Sequence, residues 1–509
     1  MDDPLREHFN HPRNSGELSG ADGAGEAGDS GCGAVIRLFL GFEGDIIVKT
    51  TFLASGSSAA IAAGSLLTEL ISGKSWRQAA ALPAASLETA LQGDEPRAPG
   101  TSSRENTGRA AAIKNAAFFA IEALHAALED AIARGNFPAR PQADSNAVLV
   151  AMSGGVDSSV ACMIEKQDGR DVVGVTLRLW SDPVCSGENA VNCCSPESIR
   201  DARSICHRLG IPHLTVDCTA DFRAVVVDDF VAEYLKGRTP NPCARCNGSF
   251  RFPKLVDLAA MIGAGSVASG HYARVVPRNG RRFIARGADR SKDQSYVLWG
   301  IPQALLGRIR FPLGDLSKEE TRRLAKEAGL HVHDRPESQE ICFIPDNDYR
   351  RFLRSRTREH PGEGDILDGA GTRLGVHSGY TDYTVGQRHG LGVGAPEPLF
   401  VLGTVPEKNQ VIVGSHEELS IRQLTIGQVN LFTDADDGAL AGGKLEVQLR
   451  YNSGPVPGRL EMAGDITGGG MKIFLDEQVY GVAPGQSAVI YSGEAIVAAG
   501  VIEATSVVV

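Results

Sequence analysis

One stretch, residues 147–159 (Ala-Val-Leu-Val-Ala-Met-Ser-Gly-Gly-Val-Asp-Ser-Ser), constrains the fold more than any other. Its apolar residues predict a buried parallel strand, and a glycine turn leads from that strand to an acid, two hydroxyls and a helix-like segment. Such a turn can cradle a phosphate, because the backbone N–H groups at a helix amino terminus are unpaired and point outward. The stretch therefore predicts a nucleotide site at one end of a parallel sheet.

The charge of the chain is unevenly distributed. The 509 residues carry a net charge of −11, yet residues 271–360 hold 19 Lys and Arg against 12 Asp and Glu. A basic block inside an acidic chain is typical of a nucleic-acid-binding face, and a solvated helical surface explains it equally well. No long apolar run occurs, and the acidic start lacks the layout of a secretory signal, so we expect a cytoplasmic protein without membrane contact.

The pattern of elements predicts a multidomain protein. From residue 146 strands and helices alternate, which indicates an α/β domain with a parallel sheet and a ligand site at the carboxyl ends of its strands. The last hundred residues repeat short strands and turns and predict a C-terminal β-barrel. We expect a small α+β domain at residues 1–134, a linker at 135–145, the α/β domain at 146–345, a small central domain at 346–405 and the barrel at 406–509.

Ten cysteines suggest thiol or metal chemistry. In a chain without an export signal, Cys193-Cys194 and the pair Cys243 and Cys246 are unlike a structural disulfide framework. Arg238 and Arg245 flank Cys246 in the sequence and would favour its thiolate. Zinc would need a second pair, and the adjacent cysteines at 193–194 chelate poorly. Three further cysteines sit in apolar segments and are predicted core residues: Cys162, Cys206 and Cys218.

The first domain resembles the U-type (NifU/IscU-like) iron–sulfur cluster scaffold proteins. The resemblance lies in residues 8–14 (His-Phe-Asn-His-Pro-Arg-Asn), 31–33 (Gly-Cys-Gly), 55–62 (Ser-Gly-Ser-Ser-Ala-Ala-Ile-Ala) and 73–75 (Gly-Lys-Ser). That family binds its cluster with three cysteines and a nearby Asp and His. Of these only Cys32 is present, and the other positions fall on Ala34, Ser55, Asn115 and Ala116.

One thiolate cannot hold an iron–sulfur cluster, so the resemblance implies a degenerate scaffold domain. Two roles remain open for it. The domain either docks a sulfur donor, which would be a cysteine desulfurase or a sulfur relay protein, or it retains a fold without chemistry.

The remainder of the chain carries a second resemblance. Residues 153–159 look like the PP-loop of ATP pyrophosphatases. Residues 146–509 as a whole resemble the tRNA-specific 2-thiouridylases (MnmA type), through five further motifs at 237–247, 269–274, 292–296, 337–344 and 383–392. The resemblance implies that ATP adenylates the C2 oxygen of the wobble uridine of tRNA. Sulfur from a cysteine persulfide then replaces that oxygen, giving 2-thiouridine, AMP and pyrophosphate.

The resemblance also implies roles for individual residues. Cys342 would carry the persulfide, and Cys246 would be the nucleophile that releases its sulfur. Asp157 is the candidate ligand for Mg²⁺ that accompanies ATP. The implied ATP-binding residues are Ala151, Met152, Ser153, Gly154, Gly155, Val156, Asp157, Ser158, Leu177 and Gly270. The implied tRNA-binding residues are Asn241, Pro242, Cys243, Lys292, Asp293, Gln294, Arg450 and Tyr451.

Two alternatives stay open on the sequence. Some members of the family have Asp where this chain has Cys243, and three thiols, Cys243, Cys246 and Cys342, could instead hold a [4Fe–4S] cluster with one open iron site. The chain could also be a sulfur carrier whose PP-loop has lost its catalytic use. A run of arginines suits phosphate contacts and salt-sensitive tRNA binding: Arg350, Arg351, Arg354, Arg356 and Arg358.

Overall fold

The structure is a computed structural model. It describes residues 3–29, 34–93, 104–138, 144–180, 195–335, 341–357, 360–433, 444–462 and 470–507. Cys32, Cys193-Cys194 and Arg358, which the sequence singled out, lie outside these residues. Within them, no helix has both the length and the apolar composition needed to cross a bilayer.

The N-terminal domain is a three-stranded antiparallel sheet covered by helices. Its elements are α1 (Pro4–Asn10), β1 (Gly23–Asp29), β2 (Ala34–Glu43), β3 (Ile46–Ser55), α2 (Ser58–Ile71), α3 (Trp76–Ala80), α4 (Ala84–Gln92) and α5 (Arg104–Ala133). The β2–β3 hairpin and the helices after it agree with the sequence pattern. Strand β1 was not predicted from the sequence. It is rich in glycine because α5 lies directly on it. A Cβ on Gly25 would come within 2.1 Å of the backbone N of Ala127 in α5.

The middle of the chain forms the predicted parallel sheet. The strands in this part of the chain are β4 (Asp144–Ala151), β5 (Asp171–Arg178), β6 (His213–Asp217), β7 (Ala264–Ala268), β8 (Ala273–Arg278), β9 (Arg281–Arg286) and β10 (Ile309–Arg310). Five of them pair in the order β10-β7-β4-β5-β6, every pair parallel. The chain builds outward from β4 through β5 and β6 and then returns to the other side of β4 with β7, so the order reverses between β4 and β7.

The helices of this domain cover the sheet. They are α6 (Val156–Gln167), α7 (Pro196–Arg208), α8 (Thr219–Phe222), α9 (Asp228–Leu235), α10 (Pro242–Cys246), α11 (Phe252–Met261) and α12 (Lys318–Glu327). A π-helical turn, Arg223–Val227, joins α8 to α9, and a second, Asn247–Arg251, joins α10 to α11. Apolar periodicity predicts the extent of such helices but not an extra residue per turn. Turns of this kind are frequent at functional sites.

A small sheet follows the α/β domain. Helix α13 (Tyr349–Arg356) leads into β11 (Gly364–Leu367), β12 (Arg373–His377), β13 (Phe400–Val405) and β14 (Gln410–Gly414), which pair in the order β12-β11-β14-β13. Because β14 pairs with both β11 and β13, the hydrogen-bonded unit continues past residue 405. We therefore propose that the central domain ends after Gly414.

The C-terminal strands form a closed antiparallel barrel, which confirms that part of the predicted fold class. They are β15 (Ser420–Leu431), β16 (Leu445–Gln448), β17 (Val456–Met462), β18 (Met471–Tyr480), β19 (Ser487–Ser492) and β20 (Ala495–Val507). Pairing of β15 with both β18 and β20 closes the ring. The β8–β9 hairpin extends the barrel's sheet through Ala285 and Ala495, so the α/β domain and the barrel share a sheet.

Helix α5 belongs to two domains at once. One face packs on β1 and β2, and the helix also covers β6, the edge strand of the parallel sheet. A single apolar core runs through both domains, including Leu124 of α5 and Leu214 of β6. Ion pairs join α5 to α7 and to β5 of the α/β domain, between Glu122 and Arg203 and between Glu129 and Arg178. The N-terminal domain is therefore fixed to the α/β domain by more than its linker.

Three histidines meet at this joint. The ring of His125 in α5 lies 5.4 Å from that of His207 and 6.4 Å from that of His213, centroid to centroid. His125 and His213 are fully enclosed, and Arg203 lies beside them. Burial, together with the positive charge of Arg203, lowers the pKa of both rings well below 6.5, and burial lowers the pKa of His207 to about 4. The joint is therefore built for neutral imidazoles.

Acidification from pH 7 to pH 5 is expected to destabilise this joint. The folded protein keeps the three rings neutral, whereas the unfolded chain protonates them below its ordinary pKa of 6.5. Their contribution to stability is complete above that pH and falls as the pH drops, by at most about 1.4 kcal/mol per pH unit for each ring. Thermal unfolding at both pH values should show a smaller loss in His125→Leu than in the unsubstituted protein. An equal loss in the two proteins would contradict this account.

Candidate nucleotide and thiol site

The predicted ATP-binding residues converge at one edge of the parallel sheet. The glycine turn follows β4, Leu177 lies near the end of β5, and Gly270 lies two residues beyond β7. Since β7, β4 and β5 are adjacent and parallel, their carboxyl ends meet beside the point where the strand order reverses. Ligands of open α/β sheets bind in the crevice at such a switch point.

Hydroxyl groups hold the glycine turn in shape. The backbone N–H of Ser153 donates to Ser158 Oγ at 3.1 Å, and the two serine hydroxyls lie 3.1 Å apart. Ser158 and Ser159 both donate to the carbonyl of Gly155, at 3.2 and 2.7 Å. Val156 begins α6 directly after the turn, with Gly155 as its N-cap. The turn therefore presents the amino terminus of a 12-residue helix to the crevice, as an anion site requires.

Two glycines allow the backbone to approach closely around this turn. Gly154 has φ +74°, and a Cβ there would lie 2.4 Å from the carbonyl oxygen of Ser198 in α7. A Cβ on Gly270 would lie 2.6 Å from the backbone N of Ser158. Gly155 differs, because its Cβ would meet only Ser153 Oγ, at 3.5 Å. Close packing thus requires glycine at 154 and 270 and leaves space at 155.

Arg335, which lies outside the nucleotide turn in sequence, holds the turn by hydrogen bonds. Its guanidinium donates to the carbonyl of Gly154 and to Asp201, each at 2.8 Å, and reaches Ser198 Oγ at 3.3 Å. Since Cys342 follows seven residues later, it can lie at most roughly 25 Å along the chain from this anchor. The arginine therefore ties the segment that carries the predicted persulfide to the nucleotide turn.

Asp157, the candidate magnesium ligand, is paired with a lysine. The ammonium group of Lys318 donates to both carboxylate oxygens of Asp157 at 2.8 Å, and the hydroxyl of Tyr272 donates to Oδ1 at 2.9 Å. The carboxylate is a ligand type that Mg²⁺ accepts, together with phosphate oxygens and water. Asp157 thus suits a magnesium ion that arrives with the phosphates, once Lys318 gives up part of this contact.

The three thiols proposed as cluster ligands do not form a metal site. Cys243, Cys246 and Cys342 all lie in the described part of the chain. Among its residues, no group of three or more His, Cys, Asp or Glu side chains could hold a metal ion. The described arrangement of these residues therefore does not match the ligand set of a [4Fe–4S] cluster.

Cys243 and Cys246 lie at the start of a long helix. Asn241 is the N-cap of α10, and its side chain accepts from the backbone N–H of Ala244 at 3.1 Å, with Pro242 at the first position. Cys243 reaches solvent, yet surrounding protein raises the pKa of its thiol to about 11, and Cys246 adds to this rise. Cys243 is therefore a neutral thiol near pH 7.

The two arginines expected to support the Cys246 thiolate also contact acidic groups. Arg238 pairs with Glu233, and Arg245 lies 3.6 Å from Asp229, so α9 offsets part of both charges. A third guanidinium, that of Arg251, acts on the same turn and lowers the pKa of Cys243 against the effect of burial.

An aromatic cluster brings the two sulfur-bearing segments together. Phe343, next to Cys342, packs its ring 5.9 Å from Phe222 and 5.3 Å from Phe352. Phe250, one helical turn beyond Cys246, lies 5.6 Å from the same Phe222. Cys246 and Cys342 both belong to the surrounding apolar core, one buried and the other partly buried. Neither is in a disulfide.

The predicted tRNA-binding residues lie along the seam between the α/β domain and the barrel. Ser487 of β19 is the meeting point. Its hydroxyl accepts from Trp299 Nε1 at 2.8 Å and from Asn241 Nδ2 at 3.3 Å, and its carbonyl accepts from the hydroxyl of Tyr296 at 2.9 Å. The ring of Tyr296 lies 6.2 Å from that of Tyr451. Asn241 and Tyr451 thereby lie along this seam.

A pocket of about 170 Å³ opens in this seam. Its walls come from α9, α10 and the barrel and are rich in polar groups. They include Asp229, Asn241, Arg245, Trp299, Asn430 and Ser487.

Several predicted tRNA contacts also have internal roles. Asp293 accepts from the backbone N–H groups of Gly287 and Ser295, and Gln294 exchanges hydrogen bonds with the backbone of Tyr272. Arg450 donates to the carbonyls of residues 480 and 481, while the ring of Tyr451 is 44 % exposed. Lys292 is partly exposed. Within the group, Tyr451 therefore presents an aromatic ring to solvent.

The arginines of α13 are largely engaged within the protein. Arg350 and Arg354 donate to Asp382, and Arg351 pairs with Asp346. Arg356 stacks over Trp180 at 4.5 Å. Three of these arginines therefore act within the central domain, and Arg356 joins that domain to the α/β domain.

Lys318 and Arg335 were not singled out in the sequence. Ser317 and Glu320 form a capping box at the start of α12. A capping box explains the glutamate but not the lysine. Arg335 precedes a motif without belonging to it. Their contacts with the nucleotide turn come from long-range packing, which no local pattern contains.

Comparison with known protein families covers nearly the whole chain. A family described as NifU-like N terminal domain matches residues 2–125, and the tRNA methyl transferase HUP domain matches residues 146–346. The tRNA methyl transferase PRC-barrel domain matches residues 350–415, and the Aminomethyltransferase beta-barrel domain matches residues 421–502. A Rubrobacter xylanophilus protein named Bifunctional protein NifU/MnmA is 44 % identical over 507 residues, which cover 97 % of each chain. The chain belongs to the bifunctional NifU/MnmA family.

Relatives without the N-terminal domain match the remainder of this NifU/MnmA chain. The tRNA-specific 2-thiouridylase MnmA of Carboxydothermus hydrogenoformans is 42 % identical over 361 residues, which are 70 % of this chain and 97 % of that protein. That of Geobacter metallireducens is 43 % identical over 363 residues, which are 70 % of this chain and 96 % of that protein. Both resemblances expected from the sequence are thereby confirmed.

The two glycines of the nucleotide turn are expected to respond differently to alanine. Gly154→Ala forces a left-handed backbone and a clash with a carbonyl, so it should lower the unfolding free energy by about 2 kcal/mol or more. Gly155→Ala meets only ordinary contacts and should change it by less than about 0.5 kcal/mol. Denaturant unfolding of the nucleotide-free proteins measures both. A comparable loss in the two variants would disprove the backbone geometry described here.

The aromatic cluster is expected to control how readily the two sulfurs meet. Phe343→Ala removes the ring beside Cys342, so mild oxidation should join Cys246 and Cys342 roughly 10-fold more slowly, since a misplacement of 1 Å can cost more than this. Phe432→Ala empties a fully buried site in the barrel and is the matched control. Peptide mapping of the disulfide over time gives the rate. Equal rates in the two variants would show that the cluster does not position the thiols.

Proposed function

We propose that this chain catalyses ATP-dependent 2-thiolation of the wobble uridine of tRNA. The observation that carries the proposal is the presence of three features in one chain: an intact phosphate-binding turn, two cysteine segments joined by an aromatic cluster, and a polar seam that includes Asn241. Its membership of the NifU/MnmA family supports the same activity. The products are 2-thiouridine, AMP and pyrophosphate.

The first step uses the edge of the parallel sheet. The C2 carbonyl oxygen of uridine attacks the α-phosphate of ATP, and pyrophosphate leaves, so that the oxygen becomes part of a good leaving group. The N–H groups at the start of α6 would hold the phosphates. Leu177 and Gly270 would flank the adenosine, and a magnesium ion held by Asp157 would neutralise phosphate charge.

The second step uses the two thiols. The outer sulfur of a persulfide on Cys342 attacks C2, AMP leaves, and a disulfide links the base to Cys342. The thiolate of Cys246 then attacks the sulfur of Cys342, which forms a Cys246–Cys342 disulfide and leaves the electron pair on the sulfur of the base. An external thiol must reduce this disulfide before the next turnover. Division into two displacements is covalent catalysis.

The uridine would reach this chemistry through the seam. Chemistry at C2 requires the base to leave the stack, and Asn241, Pro242 and Cys243 are proposed to meet it there. The pocket beside Asn241 offers carboxylate, amide and guanidinium groups to the edges of a base. Lys292, Asp293, Gln294, Arg450 and Tyr451 are proposed to hold the neighbouring nucleotides.

The N-terminal domain is proposed to dock the sulfur donor, a cysteine desulfurase or a sulfur relay protein. Its fixed attachment through α5 supports this role, because a donor bound to it would keep a constant position relative to the crevice. Cys32, the thiol that remains from the scaffold motif, is proposed to take part in the transfer.

A set of serine variants tests the mechanism. With ATP, tRNA and a cysteine desulfurase as sulfur source, Cys246→Ser and Cys342→Ser should lose thiouridine formation by on the order of 100-fold or more. Both should still release pyrophosphate in the presence of tRNA, because adenylation precedes sulfur transfer. Mass spectrometry of digested tRNA and a pyrophosphate assay give the two readouts. Formation of no thiouridine by the unsubstituted protein, with ATP binding intact, would favour a non-catalytic sulfur carrier.

Cys243→Ser separates the persulfide from the cluster mechanism. Persulfide chemistry predicts that this variant still forms thiouridine, since no sulfur passes through Cys243 and serine can keep a polar contact with the base. The alternative, a [4Fe–4S] cluster on the three cysteines, predicts that protein purified without oxygen contains iron and a visible absorption band. Loss of that iron, the band and the activity together in Cys243→Ser would establish the cluster instead.

A further inference from the structure

A buried threonine holds the peptide group at which the nucleotide turn begins. Thr176 of β5 is 1 % exposed, and its hydroxyl donates to the carbonyl of Met152 at 3.0 Å. That carbonyl belongs to the same planar peptide group as the N–H of Ser153, which donates to Ser158 Oγ at 3.1 Å. Both sides of one rigid peptide plane are therefore fastened, one to β5 and the other to α6.

A histidine of the edge strand continues this chain of hydrogen bonds. His213 of β6 is fully buried, and its Nε2 lies 2.9 Å from the Thr176 hydroxyl. Because a carbonyl only accepts, the hydroxyl donates to Met152 and must accept from His213 Nε2–H. We call His213, Thr176 and the carbonyl of Met152 the relay. Its direction runs from β6 to the turn, and it fixes the proton of His213 on Nε2.

The N-terminal domain encloses the relay. Helix α5 covers β6, and the ring of its His125 lies 6.4 Å from that of His213, centroid to centroid. Both rings and the hydroxyl are buried, so water does not compete for these hydrogen bonds. Hydrogen bonds are stronger in such an interior than beside water. The support of the turn therefore extends through two strands to a helix of the other domain.

A second buried threonine at this joint offers a comparison. Thr215 of β6 is the register partner of Thr176 on the neighbouring strand. Its hydroxyl lies 3.5 Å from Nη2 of Arg203, whose guanidinium pairs with Glu122 of α5. Thr215 thus serves the joint between the domains, whereas Thr176 serves the turn.

We propose that Thr176 and His213 are positioning residues for ATP, and that α5 of the N-terminal domain completes their support by enclosing them. The relay orients the first peptide group of the turn, so that the N–H groups after it face the phosphates. The N-terminal domain thus contributes to nucleotide binding in addition to its proposed docking role. This inference rests on the proposed function, because it takes the turn to be the ATP site.

Calorimetric binding of ATP to the full chain tests the relay. Thr176→Val removes the hydroxyl and should weaken ATP binding about 5-fold, as expected for one lost hydrogen bond. Thr176→Ser keeps the hydroxyl and should restore binding to within about 2-fold of the unsubstituted protein. Thr215→Val is the matched control and should also stay within that range. Equal weakening in the two valine variants, or none in Thr176→Val, would overturn the relay.

Variants of His213 remain informative if Thr176→Val does not fold. His213→Gln keeps an N–H that can donate to the Thr176 hydroxyl, whereas His213→Leu has no donor. ATP binding should therefore be weaker in the leucine variant by about 5-fold. Equal ATP affinities in these two variants would show that the donated hydrogen bond does not matter.

Variants of His125 test the contribution of the N-terminal domain. His125→Ala opens a cavity beside the relay and should weaken ATP binding about 3-fold, because water then reaches His213. His125→Leu refills the space and should bind ATP normally. Ile113→Ala removes another buried side chain of α5, roughly 18 Å along the helix, and should also bind normally. Equal weakening in the two alanine variants would indicate general loosening of the domain and overturn the role of α5.

A double variant shows whether His125 acts through Thr176. Adding His125→Ala to Thr176→Val should weaken ATP binding no further, because the hydroxyl through which the ring acts is already absent. Losses that multiply would break the link between α5 and the relay.

The same measurements separate this inference from the proposed function. An unsubstituted protein that binds no ATP would remove both. An unsubstituted protein that binds ATP and thiolates tRNA, with normal ATP binding in Thr176→Val, would remove only the relay.

Discussion

The edge-to-face packing of Phe222, Phe250 and Phe343 is the contact on which the site depends. The two sulfur-bearing segments come from distant parts of the chain, one at the start of α10 and the other in the loop before α13. Each aromatic contact contributes on the order of 1 kcal/mol beyond its buried area. The rigid, interlocked rings also limit how far either segment can move, so both thiols stay close to one cluster although they are distant in sequence.

The nucleotide turn was predictable from the sequence, whereas its surroundings were not. Residues 147–159 carry local signals for each part of the turn: a buried strand, glycines that permit a left-handed backbone, and the start of a helix. Leu177 and Gly270 were assigned to the same site only through a resemblance, and the order of strands in the parallel sheet then explained why they lie near it. Lys318 and Arg335 carry no local signal, because their importance arises from the packing of α12 and the loop after it against the turn.

Sequence proximity did not reveal the acidic partners of Arg238 and Arg245. Both stand close to Cys246 in sequence, but their side chains also contact the acidic groups of α9. Strand β1 was missed for a different reason. Its small residues lack the alternation of a strand, since α5 needs close access to its backbone. In both cases a neighbouring helix decides the contacts.

The sharing of α5 by two domains has a consequence for how sulfur can travel. A scaffold domain on a flexible tether could visit several acceptors, as an independent carrier does. Here the domain shares its core with the sheet that is proposed to bind ATP, and the edge of that sheet is permanently occupied. With the proposed docking role, the fusion would fix one delivery platform to one acceptor, and a visiting donor would have to approach from a side that leaves β6 covered by α5.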